Sequence, residues 1–190
     1  MSNAVVSTKV ITGPATQFSY CYPFEPKSIN GSAPKYSCQL KIPKSDKKTV
    51  DAINAAIQAA YIEGESKLKG TGKVVPPLAS LKTPLRDGDV DRADDPSYAG
   101  YWFLNANSTS PVGVVDAQCN QIFDQSEVYS GCFGRASISF FAFNSNGNKG
   151  IGCGLNNLQK LKDGPRLGGR ASAEEDFAAF KDEGDEDFLA

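Results

Sequence analysis

The segment "GRASISFFAF" (134–143) places Arg135, Ser137, Ser139, Phe141 and Phe143 at alternate positions, with Ala136, Ile138, Phe140 and Ala142 between them. Successive side chains of a strand point to opposite faces, so the second set makes a core face and the first an outward one. An outward face with an arginine at one end and two phenylalanines at the other suits one kind of chemistry. Flat rings at strand spacing stack on unpaired bases, and nearby cations neutralise the phosphates that link them. Lys149 and Lys160 on the same hairpin, and Lys35 and Lys41 on an earlier strand, are the candidate cations. Tyr20 and Tyr22 in "TQFSYCYPF", and Trp102 opposite Tyr101 and Phe103 in "YWF", are further candidate rings. Each ring has a plainer reading. Phe18, Tyr20, Tyr22 and Phe24 at period two form a single core face, and Phe141 and Phe143 cover a second small core under a helix.

Other chemistries find little support. The chain has no histidine, so nucleophilic catalysis through a histidine base is excluded. "GTGKV" fails as a phosphate loop, because Lys67 stands where the first glycine is needed and Val74 where Ser or Thr is needed. "GIGCG" (150–154) falls within a predicted strand pair instead of before a helix, which points to a bulge or a close backbone approach. Asp87, Asp89, Asp91, Asp94 and Asp95 begin like a calcium loop, but Arg92 takes the glycine position and Tyr98 that of the closing glutamate. That cluster reads as a solvated acidic loop, with two-metal hydrolysis as the alternative. The five cysteines, Cys21, Cys38, Cys119, Cys132 and Cys153, are odd in number, scattered and without a C-x-x-C pair, which suggests buried reduced thiols in a cytosolic setting. Neither a metal nor a cofactor is expected.

Charge is divided along the chain. Of 20 Lys+Arg and 22 Asp+Glu, residues 173–190 hold eight acids and one base, Lys181; the remainder has 19 bases against 14 acids, a net +5. A basic body is thus joined to an acidic terminal run. The run closes on "DEGDEDFLA", with Asp182, Glu183, Asp185, Glu186 and Asp187 followed by Phe188. A polyanion that carries an aromatic can occupy a cationic groove or offer an anchor to a partner protein. Its composition predicts disorder, apart from a short helix capped by "SAEE" (172–175) that carries Phe177 and Phe180.

The elements that must position these residues are mostly strands. "KYSCQLKIP" alternates Tyr36, Cys38, Leu40 and Ile42 with Lys35, Ser37, Gln39 and Lys41, a half-buried strand with a basic outer face. One helix starts near Ser45 or Asp46, with Val50, Ile53, Ile57, Ala60 and Tyr61 at helical spacing, and runs to Gly70 with a weak point at Gly64. An irregular, proline-rich stretch follows to about residue 99, of a length that is usually functional or mobile. Strands resume at "YWFLNANS" and "VGVVDAQ", with a short run near "NQIF", before a long hairpin around "NSNGN" whose Asn146-Gly147 pair favours positive φ. Short strands with one inserted helix and no βαβ alternation predict a mainly β fold: an OB-like five-stranded antiparallel barrel with extra strands. Residues 1–170 form this domain and 171–190 the acidic tail. The chain lacks a basic, apolar leader and any run of the length of a membrane span, so a soluble, unexported protein is expected.

"YPFEPKSINGSAPKYSCQLKIPKSD", "PLRDGD", "YAGYWFLNANS", "SEVYSGCFGRASISFFAFNSNGNKGIGCGLNNLQKL" and the ending "DEDFLA" together resemble the single-stranded DNA-binding protein family of tailed phages, long catalogued as a phage domain of unknown function. The resemblance runs from about residue 9 to the C-terminus. It implies an OB-fold that coats single-stranded DNA during phage replication or recombination in the cytoplasm of the infected host. An acidic C-terminal tail, here Asp182 to Phe188, would then be available to replication or recombination proteins. The resemblance implies no contact residues; Tyr20, Tyr22, Lys35, Lys41, Trp102, Arg135, Phe141, Phe143, Lys149 and Lys160 rest on alternation alone. A metal-dependent nuclease using Asp87 to Asp95 and a virion assembly protein are the competing readings.

Overall fold

A computed structural model of the chain describes residues 7–28 and 31–167, together with Phe177. Its strands are β1 (Lys9–Ile11), β2 (Thr16–Lys27), β3 (Lys35–Pro43), β4 (Arg86–Asp87), β5 (Tyr101–Ser108), β6 (Gly113–Val115), β7 (Phe133–Ser145) and β8 (Asn148–Lys162). Five of them close a barrel in the order β7-β2-β3-β5-β8, with β8 pairing back to β7. The seams are antiparallel except β5–β8, which runs parallel with Asn107 opposite Gly154. β1 extends the sheet beyond β7, β6 beyond β8, and β4 pairs with β5. The fold is therefore mainly β and OB-like, with extra strands.

Alternation builds the core. Ala136, Ile138, Phe140 and Ala142 of β7 face Leu158, Leu155, Cys153 and Ile151 of β8, and all eight are buried. Phe18, Leu40 and Leu104 contribute from β2, β3 and β5 with no exposed surface. Full burial of one such side chain contributes about 1.5–3 kcal/mol, and truncating Ile138 to Ala would cost about 2–5 kcal/mol. The turn between β7 and β8 has Asn146 at φ 52° and Gly147 at φ 85°, as the Asn-Gly pair predicts.

The helix lies between β3 and β4. Asp46 caps α1 (Lys47–Glu63), accepting hydrogen bonds from the Thr49 amide at 3.2 Å and the Thr49 hydroxyl at 2.7 Å. That hydroxyl in turn accepts from the Gly13 amide at 2.9 Å, which ties the helix start to the β1–β2 turn. The single helix expected to reach Gly70 is broken at Gly64, where the backbone leaves helical geometry. α2 (Glu65–Lys69) restarts beyond it and buries Leu68.

The irregular stretch that follows is docked on the barrel. Val75, Leu78, Leu81 and Leu85 pack half-buried on the core, and the Tyr61 hydroxyl donates to the Pro76 carbonyl at 2.8 Å. Then come β4, the short α3 (Gly88–Asp91) and a 3-10 turn at Pro96–Tyr98. The expected strand near "NQIF" is reduced to one bridge between Val115 and Gln121. All five cysteines are free; Cys119 is exposed and the other four are buried. Burial pushes the Cys132 thiol up to about 11 and that of Cys153 up to about 12, and raises Cys38 well above its ordinary value. Among the described residues no helix is long and apolar enough to cross a membrane.

Candidate functional site

The outward face of the β7–β8 hairpin carries the most developed site. Phe141 lies opposite Gly152 and Phe143 opposite Gly150, so each ring has a glycine as its cross-strand neighbour. A Cβ on Gly152 would lie 2.7 Å from Cζ of Phe141, and one on Gly150 would lie 3.0 Å from Cζ of Phe143. The rings occupy the space that the glycines leave, and Phe141 stays 50% exposed. They border a groove of about 540 Å³ whose other lining includes Lys35, Asn107, Ser108, Gly154 and Asn156. Asn156 enters through a bulge: pairing slips by one between Ser137↔Asn157 and Ile138↔Leu155. Its amide donates to the Ser139 hydroxyl at 2.9 Å, which fixes a polar edge beside the rings.

The tyrosines of β2 reach the same outer surface for a reason that simple alternation hides. Gln17, Phe18 and Ser19 pair with Lys41, Leu40 and Gln39, but Tyr22 pairs with Ser37, so β2 contains one extra residue. Tyr20 takes the strain, at φ 43°. The parity of the strand then reverses. Phe18 and Cys21 are buried while Tyr20 and Tyr22 are exposed, which corrects the expected single core face of Phe18, Tyr20, Tyr22 and Phe24. Lys27 sits over the Tyr22 ring, 4.8 Å from its centroid. Registers link the two regions through directly opposed residues: Tyr22, Ser37, Asn107, Gly154, Ser139 and Lys9 form one row across β2, β3, β5, β8, β7 and β1. Opposed residues share a face, so the row is continuous around the barrel.

Four of the remaining candidates do not join this face. Lys41 is 1% exposed, because the 3-10 turn at Pro96–Tyr98 folds over the outer side of β3 and buries Gln39 with it. Its ammonium donates to the Ser97 carbonyl and lies 4.7 Å from the Tyr98 ring and 4.9 Å from that of Tyr101. Burial lowers its pKa, with Asp95 acting the other way. Lys41 is thus a structural cation and not a basic outer residue. Lys149 pairs with Asn144, one strand step from the Phe143–Gly150 pair and two from the Ala142–Ile151 pair, and so belongs to the opposite face. Lys160 holds Asp163 at 2.6 Å beside the Tyr129 ring; burial opposes its charge, but the Asp163 contact keeps its pKa above the ordinary value. Trp102 alternates with Asn107 to the other side of β5, with the Lys44 ammonium 5.3 Å from its ring centroid. Arg135 does share the outward face, at the end far from the rings, where its guanidinium donates to the Thr12 carbonyl at 3.4 Å.

The acidic loop has a local role. Lys44 bridges Asp87 at 2.7 Å and Asp89 at 2.6 Å. Asp87 accepts from the Asp89 amide, Asp89 from the Gly100 amide and Asp95 from the Ser97 amide, each at 2.9–3.0 Å. The hydrogen bond from Lys44, aided by that from Gly100, holds the Asp89 carboxyl below its ordinary pKa. Among the described residues no group of three or more His, Cys, Asp or Glu side chains is placed to hold a metal ion.

Sequence reasoning missed three contributors. The glycines of "GIGCG" read as a close approach, but their pairing with particular rings depends on register. Asn156 reads as an ordinary strand residue until the bulge is seen. Lys82 lies in the proline-rich stretch without periodicity, and its backbone bridges to Gly150. Asp182, Glu183, Asp185, Glu186, Asp187 and Phe188 lie outside the described residues.

Comparison with known proteins draws these features together. The profile of a family described as the single-stranded DNA-binding protein of Enterobacter phage Enc34 matches residues 8–189. A relative named putative protein p50, from Acyrthosiphon pisum secondary endosymbiont phage 1, is 33% identical over 159 residues, covering 80% of this chain and 84% of the relative. Among solved structures, the single-stranded DNA-binding protein from bacteriophage Enc34 in complex with ssDNA is similar with a TM-score of 0.70 at 24% identity, over 85% of this chain and 90% of that one. The single-stranded DNA-binding protein gp2.5 of bacteriophage T7 is similar with a TM-score of 0.56 at 17% identity, over 92% and 96% of the two chains.

Proposed function

The chain belongs to the family of the Enterobacter phage Enc34 single-stranded DNA-binding protein, and on that footing we propose that it coats single-stranded DNA without sequence specificity in phage replication or recombination. It acts as a binding protein and not as an enzyme. The observation that carries this reading is the glycine-backed pair Phe141 and Phe143 beside Lys35. OB barrels bind oligonucleotides across their second and third strands, between the loops joining strands one to two and four to five. Counting barrel strands along this chain, those are β3 and β5, flanked by the β2–β3 connection before Lys35 and the β7–β8 turn. The groove borders that region, with Lys35 from the start of β3, Asn107 and Ser108 from the end of β5, and most of its remaining lining from the β7–β8 hairpin.

Bases stack on Phe141 and Phe143, and Lys35 neutralises phosphate. Tyr20 and Tyr22 supply further rings, and Arg135 a further cation. Stacking accepts every base, so binding tolerates sequence and rests heavily on salt-sensitive contacts. The acidic tail competes with DNA for this surface, and when displaced offers Asp182, Glu183, Asp185, Glu186, Asp187 and Phe188 to replication or recombination proteins.

Mixing the protein with a labelled oligonucleotide, with and without Mg²⁺, tests the reading. Retardation without cleavage supports it. Cleavage would favour the nuclease alternative, and no interaction would favour an assembly protein. If about five phosphates are contacted, affinity falls roughly a hundredfold between about 50 and 200 mM salt, from a slope of about −0.7 per contact. A flat salt response would remove the groove from the account.

A further inference from the structure

We infer that Lys82, on the strap of residues 75–86 seated beside the Phe143–Gly150 pair, is a phosphate-binding residue at that end of the groove; this rests on the single-stranded DNA reading of the Phe141–Phe143 face. The strap is seated on an edge that the barrel leaves open. β8 meets β5 at Gly154, so its preceding residues, Asn148–Cys153, have β7 on one side and no barrel strand on the other. Lys82 fills part of that gap: the Ile151 amide donates to its carbonyl at 2.8 Å, and its own amide donates to the Lys149 carbonyl at 3.5 Å.

This seat brings Lys82 beside a stacking ring. A Cβ on Gly150 would lie 2.9 Å from Lys82 Cβ and 3.0 Å from Phe143 Cζ, so the lysine stem and the ring close on the same space from different sides. The Lys82 side chain then continues into solvent, since the residue is exposed. Among the described residues no carboxylate forms a salt bridge with it. Lys35 lines the same groove as these rings, from the β3 side. Phe141 and Phe143 therefore have a cation available from each flank, an arrangement that suits a strand whose phosphates continue on both sides of its stacked bases.

The strap is also held firmly enough to present a charge. Tyr61 fixes it at Pro76, β4 pairs Arg86 with Phe103, and Leu78, Leu81 and Leu85 pack against the core between those points. A lysine anchored at its backbone and free at its tip loses less on binding than one on an unanchored loop.

The test uses the full chain and a labelled oligo(dT) titrated at several NaCl concentrations. Lys82→Met removes the charge and keeps the apolar stem. It is expected to weaken binding several-fold at low salt and to make the log–log salt slope shallower by about 0.7, the loss of one phosphate contact on single-stranded DNA. Lys82→Arg should restore both, and Lys48→Ala, an exposed lysine near the Gly13 end of α1, should change neither. Melting temperatures of all variants should match. A Lys82→Met protein that binds with native affinity and slope overturns the inference while leaving the DNA reading in place. A native protein that binds no oligonucleotide overturns the DNA reading, and the inference with it. If Lys82→Met lowers affinity only in proportion to a lost melting temperature, the strap is a cover for the sheet edge and the inference fails.

Discussion

Phe141 fills the space in which its cross-strand partner Gly152 would carry a side chain, with Cζ 2.7 Å from the position of a Cβ there. Phe143 and Gly150 repeat the arrangement two pairs along, at the next position on the same face. Glycine in a strand interior costs backbone entropy and leaves a hole. Here each hole is covered by a ring, and the ring gains a fixed seat while Phe141 keeps half its surface exposed. A seated, half-exposed ring has already lost much of the freedom that binding a base would remove.

Phe141→Ala is expected to weaken oligonucleotide binding by about 1–3 kcal/mol while the protein melts near its native temperature. Phe143→Ala should lose affinity too, with some loss of stability because that ring is partly buried. Fluorescence titration paired with thermal melting separates the two effects. A sharp drop in melting temperature with native affinity per folded molecule would make these rings core residues.

Gly152→Val should act through Phe141. A side chain at 152 collides with the ring and displaces it, so affinity should fall toward that of Phe141→Ala. In the double variant the losses should not add, because both changes remove the same seated ring. Full additivity in the titrated affinities would mean that the glycine serves some other purpose.

Lys35 and Lys41 lie on one strand and should respond oppositely. Lys35→Ala is expected to spare stability and to reduce the salt slope by about 0.7. Lys41→Ala empties a cage made by Ser97, Tyr98 and Tyr101. It should cost about 1–3 kcal/mol of stability and leave the slope unchanged. Salt-dependent titration and denaturant melts of the two proteins check this; an unaltered slope for Lys35→Ala would take that residue out of the groove.

Those two lysines show what kind of information the chain carries locally. The β7–β8 hairpin was legible because alternation sets its core face and Asn146-Gly147 sets its turn, and both signals sit within a few residues of what they determine. The burial of the outer face of β3 is not legible in the sequence, because its cover, Pro96–Tyr98, lies more than fifty positions away and shows no periodic pattern. β2 differs for another reason: one extra residue at Tyr20 turns Tyr22 outward, a second irregularity follows before Lys27, and no residue type announces either. Lys82 was invisible because its place depends on one backbone bridge. Strand alternation with one inserted helix points to the OB-like fold, the family resemblance implies the ligand class, and the proposed contact surface depends on the registers.

Thiol chemistry offers a test of the core. Cys119 is exposed, while Cys21, Cys38, Cys132 and Cys153 are buried. A thiol reagent at neutral pH should modify one cysteine quickly in the native protein and all five after denaturation. Burial raises Cys132 to about 11 and Cys153 to about 12 from an ordinary 9.0. A raised folded-state pKa gives stability that is complete below the unfolded value and is lost as pH rises toward the folded one. The melting temperature should therefore hold below about pH 9 and decline above it, and Cys153→Ala should flatten part of that decline. Rapid modification of several thiols in the native state would contradict the packing of β8 against the core.

Removing residues 171–190 should tighten single-stranded DNA binding. Residues 173–190 carry eight acids against one base, and a polyanion joined to a basic domain competes with DNA at an effective concentration on the millimolar scale. Its attraction to the groove is electrostatic, so it weakens as salt shortens the Debye length. The truncated protein's advantage should then be largest in dilute salt and shrink as salt rises. Phe188→Ala should behave differently: one ring adds little to charge competition but is the type of side chain on which an interface is anchored. It should nearly spare DNA binding and impair binding of replication or recombination partners. Titrating native, truncated and Phe188→Ala proteins with one oligonucleotide at low and high salt distinguishes the roles. Equal affinities of the native and truncated proteins in dilute salt would mean that the acidic run does not visit the groove, and would leave it partner docking or solubility alone.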